Sequence, residues 1–91
     1  MAERVDRIEA ALRAELAPVH LEIEDESHRH RGHAGAADGR GHFRVHVVSE
    51  AFAGLPRLKR HRLVYAALGE QLETDIHALA VNAQTPDEWQ G

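Results

Sequence analysis

The sequence predicts a two-layer α+β domain in the order helix, strand, strand, helix, strand, helix, with the helices on one face of a three-stranded mixed sheet. Three observations predict it. Two stretches place apolar residues three and four apart, and two others alternate apolar with polar. The chain has 91 residues, room for one domain spanning 1–91.

The elements follow in order. Val5, Ile8, Leu12 and Leu16 form one apolar stripe on an amphipathic helix, with Ala11 beside them, and Pro18 stops it. Val19, Leu21 and Ile23 alternate with His20, Glu22 and Glu24, the pattern of a half-buried strand. From Ser27 to Gly41 the periodicity disappears in SHRHRGHAGAADGRG, a connection too long for a tight hairpin and of the kind that carries function. Phe43, Val45 and Val47 in HFRVHVVS resume the alternation, and the two strands are expected to pair antiparallel.

Phe52, Gly54 and Pro56 mark a turn. Val64, Leu68 and Leu72, with Tyr65 flanking them, predict one helix that ends at Glu73, Thr74 and Asp75. Ile76 to Val81 is short, apolar and bounded by polar residues; its length and Val/Ile content favour a third strand, although periodicity alone does not separate it from a helix. Thr85-Pro86-Asp87-Glu88 has the form of a helix start: Thr85 can cap, Pro86 suits the first position and Glu88 completes a capping box. Trp89 is expected to seal this last short helix onto the body.

Composition narrows the function. There is no cysteine, so neither a disulfide framework nor a cysteine-only metal site can come from this chain. Met1 to Leu16 is charged throughout, unlike a signal peptide, and no apolar run approaches the length of a membrane span. A cytoplasmic protein is expected. No serine sits in an elbow motif, and there is neither a Walker loop nor GxGxxG, so nothing supports an enzyme. The formal net charge is −4, yet Arg29, Arg31, Arg40, Arg44, Arg57, Lys59, Arg60 and Arg62 concentrate positive charge in the middle of the chain.

The unusual total is eight histidines, which points to metal or proton chemistry. His28, His30 and His33 crowd the long connection, where an exposed loop histidine with no role is the plainer reading of any one alone. His77 opens the third strand, as a metal ligand or as a half-buried ring hydrogen-bonded to a neighbour. His61, inside Arg60-His61-Arg62, serves packing or capping on one reading and phosphate contact on the other.

The stretches DESHRHRGHAG, HFRVHVVSEAFAGLPRLKRHRLVYAAL and IHALAVNAQTPDEW resemble the BolA family over nearly the whole chain. RHRLVY, IHALA and the closing TPDEW are together the specific part of the match. The resemblance implies a fold similar to a class II KH domain and a non-enzymatic partnership with a monothiol glutaredoxin carrying a CGFS motif. The pair would share a [2Fe–2S] cluster also held by glutathione, for iron–sulfur trafficking or iron and redox regulation. It implies His77, in the IHALA segment, as one ligand, and His33, nine residues before the His-Phe pair, as the second. His28 and His30 compete with His33, because AADGRGHF stands where many members carry a Ser-Glu-Thr/Ser run. With no cysteine the chain fits the subgroup with a histidine in the loop. Ligand counting agrees, since two imidazoles cannot hold such a cluster without a partner's thiols. The free protein would be a monomer or a weak homodimer.

Three other readings stand beside this one. A KH-like transcription regulator would contact DNA phosphates through Arg57, Lys59, Arg60 and Arg62, with His61 assisting, although AGLPRLKR lacks the GXXG of KH loops. His28, His30 and His33 could alone buffer Zn²⁺ or Ni²⁺. A pure adaptor would use no metal.

Overall fold

The computed structural model describes residues 3–26, 41–74 and 76–89. Helix α1 (Glu3–Leu16) leads into strand β1 (His20–Asp25); strand β2 (Gly41–Val48) follows, then a 3-10 turn at Glu50–Phe52. Helix α2 (Arg57–Leu68), the four-residue helix α3 (Gln71–Thr74) and strand β3 (Ile76–Gln84) complete the order. The sheet order is β1-β2-β3, with β1 antiparallel and β3 parallel to the central β2. This is the expected mixed sheet.

Alternation along β2 builds the core. Phe43, Val45 and Val47 are buried on the side that meets Ile8, Leu12 and Leu16 of α1 and Val64 and Leu68 of α2. Leu21 and Ile23 of β1 and Leu79, Val81 and Ala83 of β3 extend this layer. Each large side chain withdrawn from water contributes about 1.5–3 kcal/mol, so the apolar stripes hold the two layers together. Val19, expected to face inward with Leu21, is instead 61% exposed, because β1 proper begins at His20.

Helix α1 ends where Ala17 turns left-handed at φ 44° and donates its N–H to the Arg13 carbonyl, after which Pro18 prevents continuation. The second helix is shorter than the spacing predicted. Gly69, at φ 54°, caps α2 through its N–H to the Tyr65 carbonyl, and Leu72 packs on the core from the separate α3. Glycine adopts that positive φ without the steric cost of a Cβ, so the apolar spacing runs on while the helix stops. Strand β3 runs past Val81 to Gln84, since Ala83 still packs inward and the Gln84 carbonyl accepts the Ser49 N–H. The last expected helix is absent among the described residues. Residues 86–88 form one turn, although both capping-box bonds between Thr85 and Glu88 are made. The chain turns back to the sheet instead, where Trp89 stacks on His20 with ring centres 4.4 Å apart.

Ser49 joins three element ends. Its buried hydroxyl donates to the Leu16 carbonyl at the end of α1 (2.5 Å) and accepts the Ala51 N–H (3.0 Å). Ser49→Ala would leave the Leu16 carbonyl buried without that donor, a loss of about 1–3 kcal/mol. Urea unfolding followed by circular dichroism should show a lower midpoint with an unchanged slope; an unchanged midpoint would contradict this role.

Candidate functional site

The first candidate lies where the 27–40 segment joins the sheet. The backbone N–H of Glu26 donates to the His42 carbonyl at 2.7 Å, so β1 and β2 stay paired up to the point where the chain leaves and returns. On the other side of β2, Gly41 pairs with Ile76 but His42 pairs with Ala78. His77 is therefore the extra residue of a β-bulge, a feature concentrated at sheet edges and beside functional sites. Strict alternation from Ala83, Val81 and Leu79 would bring position 77 to the helix side. The bulge gives that place to Ile76, which is 3% exposed. An apolar side chain fills the core there, where an unpartnered imidazole would carry a desolvation cost. A shallow depression of about 230 Å³ lined by Glu26, His42, Phe43, Ala78, Leu79 and Ala80 lies beside this bulge. His28, His30 and His33 lie outside the described residues.

The second candidate is the start of α2. Arg57, Lys59 and Arg62 are exposed, whereas Arg60 is not a free cation. Arg60 Nε donates to the Leu55 carbonyl (2.8 Å) and Nη1 to the Ala83 carbonyl (3.1 Å). Nη1 and Nη2 also form a two-pronged pair with the Glu88 carboxylate at 2.6 and 3.0 Å. The guanidinium expected to meet phosphate thus ties α2 to β3 and to the C-terminal turn. His61 is half-buried, 6.5 Å from the Tyr65 ring, and lines an open cleft of about 370 Å³ with Leu55, Pro56, Arg57, Arg60 and Val81.

A third grouping was not singled out from the sequence. On the sheet face away from the helices, His20 Nε2 is 3.3 Å from Glu22 Oε2 and His46 Nδ1 is 4.0 Å from Glu22 Oε1. His46 Nε2 contacts Gln84 Oε1 at 2.6 Å. The available signal was the outward phase of all three residues on two strands expected to be neighbours; their register could not be read.

Comparison with known proteins agrees with this layout. The family described as "BolA-like protein" matches residues 12–88. The chain belongs to the BolA-like family. It is 48% identical over 86 residues to the "DNA-binding transcriptional regulator BolA" of Escherichia coli (strain K12), covering 94% of this chain and 79% of that protein. It is 48% identical over 88 residues to "Protein BOLA1, chloroplastic" of Arabidopsis thaliana, covering 93% of this chain but 55% of that protein. Among solved structures, the BolA domain of SufE1 from Arabidopsis thaliana superposes with a TM-score of 0.85 at 43% identity, covering 98% of this chain and 99% of that one.

Within this BolA-like fold the Arg60–Glu88 pair dominates the local electrostatics. Hydrogen bonding to Arg60, then to the Thr85 backbone, lowers the Glu88 pKa to about 2. The same bond raises that of Arg60. A carboxyl whose pKa is depressed by folding stabilises the fold above its unfolded value of about 4.3, and the contribution is lost as pH falls toward the folded value. Glu88→Gln should therefore lower stability near pH 7, and the gap from the unsubstituted protein should close between about pH 4.5 and pH 2. Urea midpoints measured across that range test it; a gap independent of pH would show that the carboxylate's charge is not what matters.

Proposed function

We propose that this protein is a non-enzymatic, cytoplasmic partner of a monothiol CGFS glutaredoxin and shares with it a glutathione-ligated [2Fe–2S] cluster for iron–sulfur trafficking or iron and redox regulation. The observation carrying this reading is the bulge at His77, at the sheet end from which the histidine-bearing segment departs and to which it returns. A bulge takes one residue out of the alternation along β3, and bulges of this kind are concentrated beside functional sites at sheet edges. The core is not disturbed, because Ile76 occupies the inward place.

The donor chemistry fits the cluster. His77 and one of His28, His30 and His33, with His33 preferred, would supply imidazole to one iron. The chain has no cysteine, so the thiolates come from the glutaredoxin and glutathione. Imidazole in place of thiolate raises the reduction potential of such a cluster. The role of this chain is to hold two ring nitrogens for an iron that its partner also holds, without bond-making chemistry of its own.

The exposed Arg57, Lys59 and Arg62 on α2, the first of which lines the cleft, favour a second reading, a KH-like transcription regulator that binds DNA. The Escherichia coli relative is named as a DNA-binding regulator. Arg60 contributes little to such a surface while it holds Glu88.

Mixing the protein with a CGFS glutaredoxin, glutathione, iron and sulfide should give absorption and circular-dichroism spectra distinct from those of the glutaredoxin alone. His77→Ala should abolish the difference and His33→Ala should destabilise the cluster. Wild-type spectra from both variants would refute the ligand assignment. For the second reading, replacing Arg57, Lys59 and Arg62 with Ala should make the slope of log K against log salt shallower by about 0.9 for each phosphate no longer neutralised. Undetectable DNA binding by the unsubstituted protein at low salt would dismiss it.

A further inference from the structure

We propose that His20, Glu22 and His46 form a second metal site, for a divalent cation of the zinc class and independent of His77. The register places Glu22 of β1 directly opposite His46 of β2, and His20 lies two residues from Glu22 on the same outward face. One donor atom from each of the three residues lies within 4.8 Å of the others. Around a tetrahedral zinc with ligand bonds of about 2.1 Å, neighbouring donors are about 3.4 Å apart. The 3.3 Å separation from His20 matches that spacing, and the 4.0 Å one from His46, to the other Glu22 oxygen, exceeds it, so closure on one ion draws together donors that already lie within 4.8 Å of one another.

The rings are oriented for this use. Gln84 Oε1 accepts from His46 Nε2 at 2.6 Å, which leaves the Nδ1 lone pair on the side of Glu22. A ligating histidine usually has its second nitrogen held in this way. The His20 ring is stacked on Trp89 at 4.4 Å with the planes 22° apart, which fixes its tilt. Arg44, on the same face, has its Nε 3.5 Å from Glu26 Oε2. Two histidines and one carboxylate with a position open to water are a donor set that zinc accepts, and imidazole also suits copper and nickel. His46 and the bulge, between Gly41 and His42, lie about four to five residues apart along β2, roughly 13–17 Å at strand rise, so the two sites do not share an ion.

The test separates this site from the other histidines. In a protein carrying His28→Ala, His30→Ala, His33→Ala and His77→Ala, calorimetric titration with Zn²⁺ should show one equivalent bound. Adding His46→Ala or Glu22→Gln should weaken that binding by about tenfold or more, and Gln84→Ala by about tenfold. Trp89 is the sole tryptophan, so Co²⁺ should quench its fluorescence in the four-histidine variant and fail to do so when His20 and His46 are also alanine. Circular dichroism of each variant establishes that it is folded. No Zn²⁺ uptake by the folded four-histidine variant, or undiminished uptake after His46→Ala, would overturn the proposal.

Discussion

β2 is hydrogen-bonded on both edges and packed against helices on one face, so its two-residue period is the constraint that the rest of the molecule obeys. Phe43, Val45 and Val47 must face α1 and α2, and a slip of one residue would exchange them for His42, Arg44 and His46. Burial of those three apolar side chains therefore also fixes the outward imidazole of His46, and through the antiparallel register its position opposite Glu22. Polar geometry on the open face is inherited from packing on the closed one.

β3 departs from that period at one point. Seven consecutive pairs, His42 with Ala78 through Val48 with Gln84, keep Leu79, Val81 and Ala83 in phase, and the bulge separates them from Gly41 with Ile76. The irregularity occurs at the end of the sheet that Glu26 and His42 close, beside a depression on its surface. An unbroken ladder would force a choice between an apolar core residue and a polar one at a single position. The extra residue removes that conflict, since Ile76 takes the core position.

Much of this arrangement was legible in the sequence, since the β1, β2 and α1 patterns each had one dominant period. IHALAV was ambiguous because its apolar residues satisfy alternation counted from either position 76 or 77, and only the neighbouring strand decides. The stop at Gly69 was hidden by apolar spacing that continues to Leu72 across the break. The capping box before Trp89 specifies its two hydrogen bonds, which form, but does not specify the helix that the pattern predicts. The arginine 28 residues away that shares Glu88 cannot be seen in a local pattern. His20 and His46 were placed on their strands, but their meeting depended on a register set across the long connection.

The Arg60–Glu88 pair also couples two surfaces. Its carboxylate occupies the forked donor set that a phosphate group would need, and it belongs to the turn bearing Trp89. An anion that captured the guanidinium would have to displace this internal competitor and release the turn. By linkage, whatever tightens the turn against the sheet weakens such an anion to the same degree. The fold thus contains its own decoy for the most central cation of its basic helix.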